Sequence, residues 1–498
     1  MVLTSIYNYA TLCDMKYTQP FFAALLTLVL ASSCTDFIEK PVPAQDLPSD
    51  AAFNSVGGLE TALIGAYDAL QDSDFGANGL SMNSSLLSDN GLWRGSFPSY
   101  ADMYERQLTP SNPEVFGFWE HAYEAINQAN LILDNIGNVE DIDEATSNQL
   151  RGEALFIRGF VYFELARAFG KPYGSTSGSD LAVPIVLTAT QTSADITFPA
   201  RNTVEEVYNH ATEDLTEARS LLSPEFDYGR ATSTAATAVL ADIAFQKRNY
   251  EQAAQLAKEV IETPKYMLTA EPQQPFFNEG SSEEIFSIVN TIQDNPGVNG
   301  SLATFHHRNG RGGDVRVSPD LRDEGYLAEI SDDLLDDVGS DTLIDLRAVL
   351  LTDSLKFVDK YDDFANNSDD NIILRLPTYY LMRAEALVRT EGINEESVEL
   401  LNTIRNRAIR RVNSDGAQTD ASDIVSYNVD DFDSPEELID AIVLERRVEL
   451  AFEPNRLNDL RRLMRDVRGL DYDSDRLVFP IPQRELDAND QLIQNPGY

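Results

Sequence analysis

The stretch TSTAATAVLADIAFQKRNYEQAAQLAKEVIE, from Thr232 to Glu262, decides the fold class. Its apolar spacing predicts two helices, Ala231 to Gln246 and Tyr250 to Glu262. Lys247-Arg248-Asn249 makes the short turn between them, and alanine recurs where the two helices would approach each other closely. The stretch therefore predicts a tight helical pair.

A second pair of the same shape covers Thr378 to Arg389 and Asn394 to Ala408, with a turn around Gly392. Both pairs look like tetratricopeptide hairpins. A long segment separates them, so we do not expect a continuous array of repeats. Stacked hairpins bury their faces on each other and offer a docking surface, which favours a scaffold or binding role over catalysis.

Three further segments have the three- and four-residue spacing of helices that bury one face: Phe118 to Ile136, Gln149 to Phe169 and Ala200 to Leu222. Thr203 and Glu206 have the spacing of a capping box at the start of the third segment. The chain is therefore expected to be mainly α.

The composition excludes two classes of protein. The 498 residues contain 38 Lys+Arg and 82 Asp+Glu, a formal net charge of −44. A nucleic-acid partner is not expected, because a polyanion is repelled and its binding needs clustered cations. A multipass membrane protein is excluded, because the mature chain lacks apolar runs of about 18 residues. The negative charge also mildly favours a neutral ligand over a polyanionic one.

The N-terminus predicts export. Phe21 to Leu30 is an apolar run of signal-peptide length, and Ala31-Ser32-Ser33 precedes Cys34. Met15 makes a more ordinary start than Met1, because Lys16 is the only cation before the run. A cysteine after small residues resembles a bacterial lipobox, in which the thiol is lipid-modified. We expect a signal peptide at 1–33, a lipidated tether at 34–48 and a single domain at 49–498.

Two stretches, Gln71 to Pro113 and Glu271 to Tyr326, do not follow a helical period. The first is rich in Ser, Asn, Gly and aromatic residues, and the second contains PFFNEG, DNPGVNG and HHRNGRGGD. Long irregular segments inside a domain often carry function, so a ligand is expected at these two stretches.

Several motifs together resemble the SusD/RagB family of outer-membrane nutrient-binding lipoproteins. They are SCTD at 33–36, WEHAYEAINQAN at 119–130, RGEALFIRGFVYFELARAFG at 151–170, ERRVELAFEPNRLNDLRR at 445–462, PIPQRE at 480–485 and QNPGY at 494–498. One departure is Pro454, where the family commonly has Gly. The match runs in the same order along nearly the whole mature chain.

The resemblance implies tetratricopeptide-like hairpins packed against a less regular, loop-rich half with a few short strands. It also implies a surface-exposed protein, anchored in the outer membrane by lipid at Cys34. Such a protein captures an oligosaccharide and delivers it to a SusC-like TonB-dependent transporter, and it is not an enzyme. The alternatives are a relative that binds peptides or another nutrient, a lid that serves only a structural role, and a surface glycoside hydrolase.

Candidate ligand-binding residues follow from the chemistry of sugars. The C–H faces of pyranose rings pack on aromatic side chains, and polar side chains hydrogen-bond the hydroxyls. Trp93, in the first irregular stretch, is the leading candidate, whereas Trp119 lies on a helix and is expected in the core. The other candidates are Asp89, Asn90, Arg94, Phe97, Tyr100, Phe305, His307, Arg308 and Asn309.

Metal and catalytic interpretations are weaker. His306 and His307 are adjacent, and adjacent residues of an extended segment point to opposite faces, so no zinc site is expected. The alternation of aspartates from Asp471 to Asp475 lacks the glycine that a calcium loop needs. No cofactor is therefore expected, although a structural calcium ion at another acidic loop, such as Asp362 to Asp370, is left open.

A charged stripe is formed by Glu445, Glu449 and Glu453, four residues apart, with Arg446, Arg447 and Arg456 interleaved. A glycosidase also uses paired carboxylates. We interpret the stripe instead as a salt-bridge network that ties the last hairpin to the C-terminal tail.

Overall fold

The computed structural model describes residues 53–175, 180–224, 228–277, 280–326, 342–352 and 355–498. The predicted signal peptide, Cys34 and the tether lie outside the described residues. The segment from Phe53 to Tyr498 folds as one unit. Within the described part, none of the helices combines the length and the apolar character needed to cross a bilayer.

The helices account for most of the regular structure. In chain order they are α1 (Val56–Gln71), α2 (Gly79–Leu87), α3 (Pro98–Tyr104), α4 (Pro113–Asn135), α5 (Glu144–Phe169), α6 (Val204–Leu221), α7 (Ser233–Gln246), α8 (Tyr250–Ile261), α9 (Leu302–His306), α10 (Leu376–Glu391), α11 (Glu395–Ala408), α12 (Ser422–Val425), α13 (Pro435–Glu449), α14 (Arg456–Arg462) and α15 (Gln483–Ala488).

The strands are short. They are β1 (Gly91–Trp93), β2 (Glu284–Ile288), β3 (Val315–Val317), β4 (Thr342–Asp345), β5 (Leu351–Thr352), β6 (Phe357–Val358), β7 (Asn371–Arg375), β8 (Ile409–Val412) and β9 (Gln418–Asp420). They pair antiparallel in the orders β1-β3-β6-β5, β2-β7 and β4-β8-β9. The prediction of a mainly helical fold beside a less regular part with few short strands is confirmed.

The predicted helices are present, but two begin earlier than their apolar spacing indicates. Asn112 caps α4 by accepting hydrogen bonds from the amides of Glu114 and Val115. Asp143 caps α5 in the same way, through the amide of Thr146. The first turn of α5 is polar and that of α4 starts with Pro113 and Glu114, so the caps mark these starts better than the apolar spacing does. The capping box at the start of α6 is confirmed.

Both predicted hairpins, α7 with α8 and α10 with α11, are also confirmed. They are distant in the chain, but α8 packs directly against α10, so the two hairpins are neighbours in space. Gly392 ends α10 with a φ of 82°, a left-handed conformation that glycine adopts without strain. The helices of the stack are therefore separated along the sequence by other segments but pack side by side in the structure.

Helix α5 lies at the centre of the stack. Residues on all its sides are buried from Leu150 to Ala166, as expected for a helix enclosed by others. Gly159 lets α6 approach closely, because a Cβ at that position would lie 2.9 Å from Leu215 Cγ. The polar side chains at this contact are paired: Arg158 donates to both carboxylate oxygens of Asp214, at 2.7 and 2.8 Å.

A set of buried charges joins α13 to other parts of the fold. We call it the buried charge network, and each side chain is less than a tenth exposed. Its members are Glu283, Arg347, Lys360, Arg375, Arg405, Arg407, Glu445, Glu449 and Glu453.

Arg375, the last residue of β7, is the centre of the buried charge network. Its guanidinium Nη1 lies 2.8 Å from Glu449 and 3.1 Å from Glu283, and Nη2 lies 2.8 Å from Glu453. Arg407 of α11 binds the same Glu283 and approaches Glu449 to 2.6 Å. One strand and two helices are therefore held together by charges that water cannot reach.

The prediction that Glu445, Glu449 and Glu453 belong to a salt-bridge network is thus confirmed. Its carboxylates are neutralised inside the fold, which argues against a glycosidase pair at this place. The predicted partner of the stripe, the C-terminal tail, was wrong. The cations that pair with these carboxylates come from the part of the sequence that runs from Arg347 to Arg407. The tail is held separately by Arg201, which donates to the Asn495 side chain at 2.7 Å.

Removal of one network charge should destabilise the protein strongly. Arg375→Ala leaves three buried carboxylates without their shared cation, so we expect a loss of about 3–5 kcal/mol in the free energy of unfolding. Urea denaturation measures this loss. The control is Arg151→Ala, which breaks an exposed pair with Glu217 and should cost less than about 1 kcal/mol. Equal stability of the two variants would contradict the prediction.

The buried charge network also predicts a dependence of stability on pH. Burial alone would raise the pKa of Glu449, but the positive charges of Arg407, Arg375 and Arg347 outweigh it and lower this pKa to about 2. The carboxylate therefore contributes stability that is complete above its unfolded pKa, near 4.5, and that is lost as the pH falls toward about 2.

We expect Glu449→Gln to lower the melting temperature at pH 7, with the difference from the original protein shrinking below about pH 4.5. Thermal unfolding at a series of pH values measures both curves. A difference that stays constant over this range would show that the charge of Glu449 does not stabilise the fold.

Candidate functional site

The two stretches predicted as irregular contain short regular elements and meet in one sheet. Gln71 to Pro113 includes α2, β1 and α3, and Glu271 to Tyr326 includes β2, α9 and β3. Strand β1 pairs antiparallel with β3, with Trp93 opposite Val315 and Leu92 opposite Arg316. The segments where a ligand was predicted are therefore adjacent, although more than two hundred residues separate them in the chain.

The sheet β1-β3-β6-β5 has two different faces. Its inner face buries Trp93, Val315, Val317 and Val358, each no more than 6% exposed. Its outer face carries Leu92, Arg316 and Phe357, which are all partly exposed. Successive strand residues point to opposite faces, so the position of Trp93 in the register places its side chain inside.

Four of the predicted aromatic residues form one cluster on the inner side. The ring of Tyr100 lies 5.3 Å from both Trp93 and Phe305, and Phe97 lies 6.0 Å from Phe305. Trp93 is 6% exposed, Tyr100 is 4% exposed and Phe305 is fully buried, whereas Phe97 is partly exposed. All four were singled out from the sequence, and of these four only Phe97 is partly exposed.

Gly95 closes the surface side of Trp93. A Cβ on Gly95 would lie 2.4 Å from the indole ring and 2.6 Å from the carboxylate carbon of Asp314. The indole is therefore enclosed and does not form an open stacking platform. Its Nε1–H has no hydrogen-bond acceptor among the described residues. Ligand contact by Trp93 stays a prediction, with this N–H as the polar group that it offers.

The acidic and amide candidates next to Trp93 are engaged by arginines. Arg456 donates two hydrogen bonds of 2.7 Å to the carboxylate of Asp89. Arg447 donates to the side chain of Asn90 at 3.1 Å, and Asn90 is 1% exposed. Burial would raise the pKa of Asp89, but the hydrogen bonds with Arg456 and the positive charges of Arg456 and Arg447 together lower it. Both side chains therefore position β1 against α13 and α14.

Exposed candidates are Arg94, Arg308 and Asn309. The backbone N–H of Arg94 donates to the carbonyl of Asp314 at 2.6 Å, which extends the β1–β3 pairing by one residue. His307 is partly buried, with its Nε2 2.7 Å from Asp359. Its ring stacks on Phe364 at 4.6 Å with an interplanar angle of 11°.

His306 has different surroundings from His307. It is fully buried, and its Nδ1 lies 2.9 Å from the carbonyl of Leu302, one helical turn earlier. Burial lowers its pKa to about 4, so it is neutral at physiological pH. The two imidazoles therefore do not converge on a common point where they could bind zinc.

Sequence reasoning missed three residues at this sheet, namely Arg311, Arg316 and Phe357. Arg311 places its guanidinium 4.4 Å from the centroid of the Phe97 ring. Arg316 places its guanidinium 5.0 Å from the centroid of Phe357, which lies directly opposite it on β6. The alternation Val315-Arg316-Val317 is a strand pattern with one polar face, and it could have identified Arg316.

An acidic cavity of about 170 Å³ lies close to these elements, beside Phe276 and Lys360. The amides of Asp362 and Asp363 both donate to the carboxylate of Asp369 at 3.0 Å, and burial raises the pKa of Asp369 to about 7. These hydrogen bonds engage both Asp369 oxygens, and calcium in this loop stays an open alternative to the expectation of no cofactor.

Two other groups bear on metal binding. At the Asp471–Asp475 alternation, Asp475 forms an ion pair with Lys171. Among the described residues, one group has ligand atoms close enough for a shared ion: Asp72, Asp74 and His121, with atoms within 4.8 Å of one another. The imidazole of His121 also lies 3.3 Å from Glu124. Nothing else at this group indicates a bound ion.

Comparison with known protein families and structures gives consistent matches. Residues 36–245 match a family model described as "Starch-binding associating with outer membrane", and residues 353–474 match the SusD family. SusD-like protein P2 of Formosa agariphila is 27% identical, over 97% of this chain and 100% of that protein. SusD-like protein P38 of the same organism is 26% identical, over 96% and 98%.

Solved structures agree with the fold. A protein from Bacteroides vulgatus, described as a candidate sugar-binding protein, superposes with a TM-score of 0.73 at 27% identity, over 89% of this chain and 99% of that one. A SusD superfamily protein from Bacteroides thetaiotaomicron superposes with a TM-score of 0.73 at 23% identity, over 89% and 100%. The second likeness concerns the fold alone.

The enclosure of Trp93 predicts a sensitive glycine. In Gly95→Ala the new methyl group must displace the indole or Asp314, so we expect a loss of about 1–3 kcal/mol in the free energy of unfolding and a shift in tryptophan emission. The control is Gly137→Ala, where no atom lies within 4 Å of an added Cβ. If both variants unfold at the same temperature, the contact at Trp93 is not tight.

Proposed function

The chain belongs to the SusD/RagB family, and from this premise we propose that it captures an oligosaccharide at the cell surface and delivers it to a SusC-like TonB-dependent transporter. The observation that carries the proposal is the meeting of β1 and β3. It joins two distant segments in one sheet, whose outer face carries the partly exposed Leu92, Arg316 and Phe357.

The chemistry of this face suits a polyhydroxylated ligand. Arg94, Arg308 and Asn309 are exposed polar side chains, and Phe357 of the outer face is partly exposed beside Arg308. Sugars use both kinds of contact, because their ring faces are apolar and their hydroxyls need partners. The description of the matching Bacteroides vulgatus structure as a candidate sugar-binding protein supports the same ligand class.

The proposed location is the outer membrane. The description of the family model that matches residues 36–245 includes association with that membrane. The apolar run at 21–30 and the following Cys34 are what a lipid anchor would need. A lipid anchor would hold the protein beside a transporter, where a captured ligand has a high local concentration.

We propose binding without catalysis and without a cofactor. The conspicuous carboxylates of α13 are occupied in the buried charge network, so they offer no acid and base for glycoside hydrolysis. Capture and release of a sugar need no bond to break. A peptide or another nutrient is the remaining alternative ligand within the same family.

The test is calorimetric titration of the purified protein with a panel of neutral and acidic oligosaccharides and with peptides. We expect saturable binding of one glycan class, weakened about tenfold in Arg94→Ala by loss of a charge-assisted hydrogen bond. The control is Arg484→Ala, which removes an exposed arginine that packs on Phe116 away from this sheet.

Two results would overturn the proposal. Binding of peptides with no binding of any glycan would assign another nutrient. Release of new reducing ends during incubation with the bound glycan would show a hydrolase, and a colorimetric reducing-sugar assay on the same samples detects it.

A further inference from the structure

The outer face of the sheet β1-β3-β6-β5 collects guanidinium groups around one ring. We call Arg94, Arg308, Arg316 and Phe357 the guanidinium face. Arg316 lies directly opposite Phe357, and Arg94, the residue that follows β1 and lies opposite Asp314, is its diagonal neighbour. Diagonal neighbours on paired strands are about 7–8 Å apart. The guanidinium groups of Arg308 and Arg316 lie 5.9 and 5.0 Å from the centroid of Phe357.

Arg316 is held in a position that suits an anion. Its Nε donates to the carbonyl of Gly313 at 3.2 Å, and its planar group packs on Phe357. Its two terminal nitrogens have no acceptor among the described residues. A guanidinium fixed at Nε and open at both terminal nitrogens can bind a carboxylate or a sulfate with two parallel hydrogen bonds.

Arg94 offers a second cation on the same face. It is exposed, and within the described parts of the chain no carboxylate lies within ion-pair distance of its side chain. The same holds for Arg316. Many arginines of the described residues pair with a carboxylate, as Arg158, Arg347 and Arg462 do, whereas Arg94 and Arg316 do not.

Among the described residues, the acidic side chains next to β1, β3 and β6 are already engaged. Asp314 binds Arg311 at 2.8 Å, Asp359 binds the imidazole of His307 at 2.7 Å, and Asp89 binds Arg456. The other acidic groups on the surface are screened by salt beyond a distance of about 8–10 Å. The net charge of −44 therefore does not set the sign of the potential at this face.

The surface aromatic rings of the site do not present open faces. Arg311 covers Phe97, Arg316 packs on Phe357, and the imidazole of His307 stacks on Phe364 at 4.6 Å. A site built for a neutral sugar would leave such rings open for stacking on the pyranose. Here the rings hold cations in place, so the cations are what a ligand meets.

We infer that the guanidinium face selects an oligosaccharide that carries anionic groups, either sulfate esters or uronic acid carboxylates. The inference rests on the proposed function, because it names the ligand class of the proposed site. It also reverses the expectation from net charge, which favoured a neutral ligand.

The experiment compares matched glycans that differ only in charge. The probes are sulfated galactan oligosaccharides with their chemically desulfated forms, and oligogalacturonates with their carboxyl-reduced forms. Neutral malto-oligosaccharides and xylo-oligosaccharides complete the panel. Calorimetry on the full purified protein, at low and high salt, measures each affinity, and the pairs distinguish sulfate from carboxylate as the recognised group.

We expect saturable binding of a charged member, at least about tenfold weaker binding of its neutralised counterpart, and weakening at high salt. Arg316→Ala and Arg94→Ala should each weaken binding of the charged member about tenfold and reduce its advantage over the neutral member. Arg316→Lys keeps the charge without the fork and should recover only part of the affinity. Arg484→Ala should bind like the original protein.

The outcomes separate this inference from the proposed function. Equal binding of charged and neutralised forms, or binding of the neutral panel alone, would overturn the anionic ligand class while glycan capture stands. A normal melting temperature shows that the protein is correctly folded. If such a protein binds no glycan of any charge, the proposal of glycan capture fails and this inference fails with it.

Discussion

The contact of Arg375 with Glu283, Glu449 and Glu453 is the interaction on which the rest of the structure depends. Buried charges are costly to remove from water, and the cost is offset only when every charge finds partners. Here one cation at the end of β7 serves three carboxylates, and Arg407 adds a second cation to two of them. The arrangement is stable only when α11, α13 and both strands of the small β2-β7 sheet are in place together.

Helix α13 also connects the buried charge network to the candidate site. Alternate residues of α13 point to different sides: Glu445 and Glu449 enter the buried charge network, and Arg447 reaches Asn90 just before β1. With Arg456 on Asp89, these contacts fix β1, whose pairing with β3 creates the exposed face. The candidate ligand site is therefore rigid, because these contacts tie it to the buried charge network. A rigid site loses little entropy on binding.

The helical part of this structure could be predicted from the sequence, because periodic apolar residues and caps are local signals. The site could be predicted only in part. Trp93 and Phe305 were both singled out, yet their mutual contact depends on two three-residue strands that pair across a long stretch of chain. In strands so short, nothing local decides which face is inside, so Trp93 was expected at the surface and lies buried. The glutamate stripe showed that a charge network exists, but its partners on β7 and α11 lie too far along the chain to be assigned.

Net charge and local charge lead to opposite conclusions here, and the structure explains why. The chain has far more acidic than basic residues, and many of its arginines are used inside the fold, as at Arg158, Arg347 and Arg462. Others, such as Arg201 and Arg461, donate to backbone carbonyls inside the fold. Arg94 and Arg316 instead lie at the surface with no carboxylate partner among the described residues, beside a ring that orients one of them. Because salt screens distant charges but not groups in contact, a ligand at this face responds to these two cations more than to the acidic surface around them.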